Sequence, residues 1–176
     1  MAKGGVHLLE GKDNTMFDWA STELEEDRLS QTRPSFSPND RKYQTASGKV
    51  HRARILIVDD DACILSVMDE ILTAFGYEAV TAENGEEALQ KSAAGPFDLL
   101  ITDFQMPRMN GVQLAARFKE AAAHMPVLMM TGQSAQTIAD HAPEGLIDAV
   151  LFKPFKVEKI CQVISWLLPR KSEFSD

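Results

Sequence analysis

The sequence has little of several features that mark particular classes of protein. Only two of its 176 residues are cysteines, and Cys63 and Cys161 lie far apart without metal-ligand spacing. Both fall in apolar periodic segments, so we expect reduced packing residues. No apolar run approaches the roughly 20 residues that cross a bilayer, and no basic region followed by an apolar stretch begins the chain. We therefore expect a cytoplasmic protein without membrane insertion.

Positive charge is also scarce. Lys and Arg number 18 against 26 Asp and Glu, which gives a formal net charge of -8 at pH 7. Phosphate backbones are bound by surplus Lys and Arg, so we expect no direct binding of nucleic acid. A length of 176 residues fits one domain of ordinary size with a modest extension.

The chain divides into regions that differ in composition and in the pattern of apolar residues. Residues 1–50 are polar and lack a sustained period, so this N-terminal extension is predicted to be largely disordered. Between residues 53 and 169, short apolar runs alternate with segments of helical period, which is typical of a parallel sheet covered by helices. Residues 170–176 are predicted to form a C-terminal tail. We therefore expect one ordered domain at residues 53–169.

Five pairs of a strand and a helix are predicted in this domain. The strands have continuous apolar character, which suits burial on both faces of a sheet. They are predicted at Arg54–Val58, Glu78–Thr81, Leu99–Thr102, Val127–Met130 and Ala149–Phe152. The helices are predicted at Ile64–Phe75, Asn84–Ala94, Val112–Ala123, Ala135–His141 and Val157–Leu168. Five right-handed βα units give a doubly wound α/β fold, in which ligands bind beyond the carboxyl ends of the strands.

Apolar residues at helical spacing predict the buried faces of the first and last helices. On the first helix they are Ile64, Met68, Ile71, Leu72 and Phe75. On the last they are Val157, Ile160, Cys161, Ile164, Leu167 and Leu168. Trp166 falls off this second stripe and is a candidate contact residue for a partner.

Five polar residues follow the predicted strands. Asp59 and Asp60 follow the first strand, Asp103 the third, Thr131 the fourth and Lys153 the fifth. Each alone would usually be a helix cap, a turn residue or a solvated charge. Carboxylates brought together at one edge repel each other unless a cation lies between them. Oxygen ligands with open positions favour Mg²⁺ or Mn²⁺ over zinc, so the pattern indicates a metal-dependent acidic site.

Four motifs carry these residues. They are ILIVDDD at Ile55–Asp61, DLLITDFQMPRMNG at Asp98–Gly111, VLMMTG at Val127–Gly132 and LFKPF at Leu151–Phe155. Together they resemble the receiver domain of bacterial two-component response regulators. The resemblance implies a flavodoxin-like receiver fold whose five-stranded parallel sheet has the order 2-1-3-4-5. It also implies a phosphorylated signalling protein with no enzymatic activity beyond its own Mg²⁺-dependent phosphorylation and dephosphorylation.

The resemblance implies a role for the acidic residues. Asp103 would accept a phosphoryl group from a phosphohistidine on a histidine kinase or a histidine phosphotransfer protein. Asp60 and Asp103 would bind the metal directly, and Asp59 would act largely through water. The backbone carbonyl of Gln105 would be a further metal ligand.

The resemblance also implies roles for the basic and hydroxyl residues. Lys153 and the metal would neutralise the phosphoryl oxygens, and Thr131 would donate a hydrogen bond to them. A cis peptide bond is expected between Lys153 and Pro154. Gln105 and Gln133 lie where this family tunes hydrolysis of the acyl phosphate.

Val150 departs from the family pattern. Three residues before the lysine, the family usually has Tyr or Phe, which turns inward as the threonine moves. A switch built on Thr131 and Val150 lacks that aromatic ring. We therefore predict that output depends more on repacking of the fourth helix and the loop before it.

Other functions fit the sequence less well. A phosphohydrolase of the haloacid dehalogenase type needs a DxDxT-like loop after its first strand, whereas residues 58–62 read VDDDA. A flavodoxin-like cofactor binder would bring a phosphate against the three acids at 59–61, which would repel it. A receiver-fold binding module or scaffold that phosphate does not control is the main alternative. Expected partners include an unidentified downstream protein and a second copy bound through the fourth and fifth helices.

Overall fold

The computed structural model describes residues 42–44 and 50–168. The strands are β1 (Lys42–Gln44), β2 (Val50–Arg52), β3 (Arg54–Val58), β4 (Glu78–Ala82), β5 (Leu99–Asp103), β6 (Val127–Thr131) and β7 (Ala149–Phe152). The helices are α1 (Ala62–Ala74), α2 (Gly85–Ser92), α3 (Gly111–Ala121), α4 (Ala135–His141) and α5 (Val157–Leu167). Most of the predicted extension and the predicted tail lie outside the described residues.

A five-stranded parallel sheet forms the centre of the domain. Its order is β4-β3-β5-β6-β7, which confirms the predicted 2-1-3-4-5 arrangement and the doubly wound α/β fold. All residues of β5 and β6 are buried, as their continuous apolar character predicts. Because β3 and β5 are neighbours, the loops that follow them begin side by side at one edge of the sheet.

A second, antiparallel pair of strands precedes this sheet and was not predicted. Strand β1 pairs with β2, with Tyr43 opposite His51. Each strand has three residues and neither shows an alternating apolar pattern, so periodicity gives no signal for them.

The two faces of the parallel sheet are covered by different helices. Alternate residues of β3 point to opposite faces, so Ile55 and Ile57 join one core and Leu56 and Val58 the other. The first core contains side chains of α1 and α5, and the second contains side chains of α2 and α3. A smaller group, which we call the α4 cluster, consists of Phe104, Met129 and Ile138, with Val112, Ala142, Ile147 and Val150 packed against it.

Side-chain caps begin the helices that follow the first four strands of the parallel sheet. Asp61, Asn84, Asn110 and Ser134 each accept a hydrogen bond from a backbone N–H in the first turn of α1, α2, α3 and α4. Such caps stabilise a helix by about 1 kcal/mol and determine where each loop ends. In the described part of the chain, no helix has the length and apolar character needed to cross a membrane.

Two predictions about individual side chains need correction. Val157 was predicted to face inward but is 42% exposed, because the first residue of a helix has no preceding turn to cover. Cys63 is exposed near the start of α1, whereas Cys161 is buried as predicted, and no described disulfide joins them. The predicted residue Ile64 is half-buried and packs against the first core, and α1 also buries Leu65, which was not predicted. Trp166 is 68% exposed, consistent with its position off the stripe of α5.

Gly111 begins α3 at a point of close backbone contact. Its N–H donates to the carbonyl of Phe104 at 3.1 Å, which closes the loop after β5. A Cβ at this position would overlap the carbonyl oxygen of Asp103 and lie 2.9 Å from the sulfur of Met129. The loop therefore requires glycine where it returns to the sheet.

We predict that Gly111→Ala lowers the free energy of unfolding by about 2 kcal/mol, because the added methyl group overpacks a rigid site. Urea denaturation measures this change. Gly132→Ala is the matched control, since a Cβ there would meet nothing within 4 Å and should leave stability nearly unchanged. Equal stability of the two variants would show that the backbone at Gly111 can move aside at little cost.

Candidate functional site

The predicted site residues lie together at the carboxyl edge of the sheet. Asp103 and Thr131 are the last residues of β5 and β6, and Asp59 and Lys153 directly follow β3 and β7. The side chains of Asp59, Asp103 and Thr131 are buried, with 2%, 8% and 1% of each residue exposed. Asp60 is exposed beside them. The strand order therefore brings residues from four strand ends to one place.

Lys153 connects the two buried carboxylates of the site. Its Nζ donates to Oδ2 of Asp59 at 2.7 Å and to Oδ1 of Asp103 at 2.6 Å. Its backbone N–H donates to the carbonyl of Thr131 at 2.7 Å, which aligns the end of β7 with β6. The peptide bond between Lys153 and Pro154 is cis, as predicted. One ammonium group thus holds two acids that would otherwise repel each other.

Backbone amides satisfy the remaining oxygen of each acid. Asp59 Oδ1 accepts from the N–H of Asp61 at 2.9 Å, and Asp103 Oδ2 accepts from the N–H of Gln105 at 2.6 Å. In both cases the donor lies two residues later, which is the geometry of an Asx turn. Each carboxylate therefore accepts a hydrogen bond from Lys153 at one oxygen and a hydrogen bond from a backbone N–H of its own loop at the other.

Burial and charge act in opposite directions on these groups. Burial raises the pKa of Asp59 above its ordinary value, and the hydrogen bond from Lys153 lowers it only in part. Burial alone would lower the pKa of Lys153, but its bonds to Asp103 and Asp59 outweigh burial and raise it. The contacts therefore favour the charged form of Lys153, whereas burial disfavours the ionised form of Asp59.

The donor set suits a divalent cation with oxygen ligands. Asp59 and Asp103 contact the single ammonium group of Lys153, and Asp60 adjoins Asp59 in the chain, so the four residues carry an excess of negative charge. Among the described residues, no three acidic, histidine or cysteine side chains already form a ligand cage. Mg²⁺ does not need one, because it keeps several waters and binds one or two carboxylates. The predicted direct ligands, Asp60, Asp103 and the carbonyl of Gln105, fit this habit.

The two predicted tuning residues contact each other. Gln133 Nε2 donates to Gln105 Oε1 at 3.0 Å, joining the loops after β5 and β6. The backbone N–H of Gln133 also donates to Thr131 Oγ1 at 2.9 Å. Position in the sequence placed each glutamine beside the site but gave no signal for the bond between them.

Phe104 lies beside the site but was not among the predicted site residues. It directly follows Asp103, is 8% exposed and belongs to the α4 cluster. Its ring meets the ring of His141 edge-on, with centroids 6.0 Å apart and planes at 81°. Val150 packs against the same cluster. An aromatic residue adjacent to the strand-end acid was the available signal for this contact.

Comparison with known proteins agrees with this geometry. The sequence profile of the response regulator receiver domain matches residues 55–165. The chain belongs to the response regulator receiver family. Chemotaxis protein CheY of Pseudomonas aeruginosa is 32% identical over 120 residues, which cover 66% of this chain and 97% of that protein.

Solved structures of receivers share the fold. The Vibrio cholerae chemotaxis protein CheY4 is 29% identical with a TM-score of 0.64, covering 67% of this chain and 100% of that one. Response regulator TrrA of Thermotoga maritima, in complex with Mg²⁺-BeF, is 33% identical with a TM-score of 0.61, covering 66% and 99%. The receiver fold and membership of two-component systems are therefore established for this chain.

Several other relatives are transcriptional regulators that are much longer than the matched region. GlrR of Escherichia coli is 33% identical over 124 residues, but the match spans only 28% of that protein. The match to PhoP of Bacillus subtilis spans 50% of it. Because such relatives include the DNA-binding regulator NtrC of Rhizobium meliloti, the expectation of no nucleic-acid binding has no support from the comparisons.

We predict that Asp59→Asn stabilises the protein by about 1 kcal/mol at pH 7, because it removes a buried charge that the functional site retains. Since folding raises the pKa of Asp59, stability is fully present below the unfolded value of 3.8 and falls as pH rises through the folded value. The gain should therefore shrink below pH 3.8. Urea unfolding at both pH values measures it.

Asp60→Asn is the matched control. It makes the same change in charge at an exposed position and should stabilise the protein less. A loss of stability in Asp59→Asn at neutral pH would mean that the hydrogen bond from Lys153 outweighs the cost of burial.

Proposed function

We propose that this receiver is a phosphoacceptor, with Asp103 taking a phosphoryl group from a phosphohistidine of a sensor kinase or phosphotransfer protein. The observation that carries the proposal is the ammonium of Lys153 bonded to both Asp59 and Asp103 at the carboxyl edge of the sheet. Phosphoryl transfer depends mainly on positioning and on neutralisation of charge. The four strand ends supply both.

The proposed transfer forms one bond to phosphorus and breaks another. A carboxylate oxygen of Asp103 attacks phosphorus, and the bond from phosphorus to the imidazole nitrogen breaks with its electrons returning to the imidazole. Lys153 already contacts Asp103, so it needs little movement to reach a phosphoryl oxygen. Thr131 Oγ1 accepts from Gln133 N–H, which leaves its own proton to donate. When bound, Mg²⁺ supplies further neutralisation of the phosphoryl oxygens.

Incubation with acetyl phosphate and Mg²⁺ should add one phosphoryl group to the protein, measured by intact mass. Asp103→Asn should gain none, because it lacks the nucleophile. Removal of Mg²⁺ with a chelator should suppress the gain in the unmodified protein.

Asp140→Asn is the control, since it neutralises an exposed acid on α4 that contacts Gln136 rather than the site. It should be phosphorylated like the unmodified protein. If the unmodified protein gains no phosphoryl group from either acetyl phosphate or a phosphorylated transfer protein, the phosphate-independent binding module becomes the better description.

We propose that the signal leaves through α4 and by contact with another protein. Helix α4 has seven residues, and its cap Ser134 lies three residues after Thr131. Its last residue, His141, contacts the ring of Phe104, which directly follows Asp103. Both ends of α4 are thus tied to the site. Exposed Trp166 on α5 is the proposed contact residue for a downstream protein or a second copy.

The role of Phe104 can be tested with Mg²⁺ and beryllium fluoride as a phosphoryl mimic. In the unmodified protein, the mimic should shift the NMR signals of α4 and of the His141 ring. Phe104→Leu should still bind the mimic but show a much smaller shift at His141, because the edge contact is lost.

Phe118→Leu provides the control. It shortens another buried phenylalanine, which packs in the core formed with α2 and α3 rather than in the α4 cluster. Its α4 signals should respond like those of the unmodified protein. A full α4 response in Phe104→Leu would contradict the proposed route.

A further inference from the structure

We infer that Gln105 and Gln133 act as a single unit, a hydrogen-bonded amide pair that limits access of water to phosphorylated Asp103. This inference rests on the proposed function, since it concerns control of the same site. It differs from separate tuning by two residues, because the pair works only while both partners are present.

A continuous chain of hydrogen bonds joins the phosphoacceptor to the threonine through the two glutamines. Asp103 Oδ2 accepts from the backbone N–H of Gln105 at 2.6 Å. Gln105 Oε1 accepts from Gln133 Nε2 at 3.0 Å, and the backbone N–H of Gln133 donates to Thr131 Oγ1 at 2.9 Å. The side-chain bond is the only one of these three that links the two loops to each other. It adds a side-chain link between the loops to the backbone bond from Phe104 N–H to the carbonyl of Met130 and the ring contact of Phe104 with His141.

The two glutamines are more exposed to solvent than the reactive groups. Gln105 is exposed and Gln133 is half-buried, whereas Asp103 is 8% exposed and Thr131 is 1% exposed. Because the amide bond joins the two loops that flank Asp103 and Thr131, we infer that water approaching between these loops meets the amides first.

Hydrolysis of an aspartyl phosphate requires such an approach. A water oxygen attacks phosphorus on the side opposite the Asp103 oxygen, and the water's proton passes to solvent or to the departing phosphate. The bond from phosphorus to the Asp103 oxygen breaks, and its electrons return to the carboxylate. Side-chain amides that are hydrogen-bonded to each other hold the two loops together. They also have fewer free donors and acceptors with which to orient that water. The intact pair should thus lengthen the life of the phosphorylated state.

Non-additivity distinguishes a unit from two independent residues. Removing either amide breaks the same bond, so the second removal has nothing further to break. If each glutamine instead acted alone, the effects of the two substitutions on the rate would multiply.

The test uses Gln105→Met, Gln133→Met and the double variant. Methionine keeps the length of the side chain but cannot form the hydrogen bond between the two side-chain amides. Proteins phosphorylated with acetyl phosphate are passed into donor-free buffer, and loss of the phosphoryl group is followed by intact mass. Each single variant should lose it about two- to tenfold faster, which is the range for one net hydrogen bond. The double variant should be no faster than the faster single.

Gln136→Met is the matched control. Gln136 is an exposed glutamine whose Nε2 donates to Asp140 at 2.8 Å within α4, so its loss should leave the lifetime unchanged. Multiplied effects, an unchanged lifetime or a longer lifetime in the Gln105 and Gln133 variants would each overturn the inference.

A second measurement does not depend on phosphorylation. In the unphosphorylated protein, Gln105→Met should shift the side-chain amide signals of Gln133 and speed their exchange with solvent, while Gln136→Met should not. Unchanged Gln133 signals would overturn the inference even if Asp103 is phosphorylated as proposed. Failure of phosphorylation alone would count against the proposed function and leave this measurement to decide on the pair.

Discussion

The contact of one ammonium group with two buried carboxylates is the interaction on which the site depends. Asp59 and Asp103 follow or end neighbouring strands, and their charges would oppose the close packing of those strands. Lys153 reaches them from β7, beyond β6 in the sheet, and bonds to both acids. Only a long side chain can cover that distance, since neighbouring strands lie about 4.8 Å apart. The order of the strands therefore explains why the residue that contacts both acids has a side chain as long as that of lysine.

The sequence predicted the fold well because the three central strands of the sheet are buried on both faces. The limits of Arg54–Val58 and Ala149–Phe152 agree with the structure, and three other strands end one residue later than predicted. Those added residues include Asp103 and Thr131, polar groups that apolar patterning assigns to loops although they continue the ladder. Periodicity thus detects burial of apolar side chains, whereas a strand ends where backbone pairing ends.

The sequence predicted which residues form the site better than it predicted the contacts between them. The strand-end positions of Asp59, Asp103, Thr131 and Lys153 follow from sequence order and parallel pairing. The bond between Gln105 and Gln133 and the edge contact of Phe104 with His141 join segments that are far apart in the chain. They depend on how each loop closes, which periodicity and residue spacing do not describe. The β1 and β2 pair was missed for a different reason, because three-residue strands carry no periodic signal.

The site retains a stability cost that suits a switch. Burial raises the pKa of Asp59, so the ionised carboxylate is less favourable in the folded protein than in the unfolded chain. Positive charge that enters the site relieves this cost, and so the same burial favours a divalent cation. Lys153 is bonded to the acid that would be phosphorylated and to one that would not. Under the proposed function, it can move toward a phosphoryl oxygen while Asp59 still holds it. The two states would then differ at Lys153 by one exchanged hydrogen-bond partner, while its bond to Asp59 is kept.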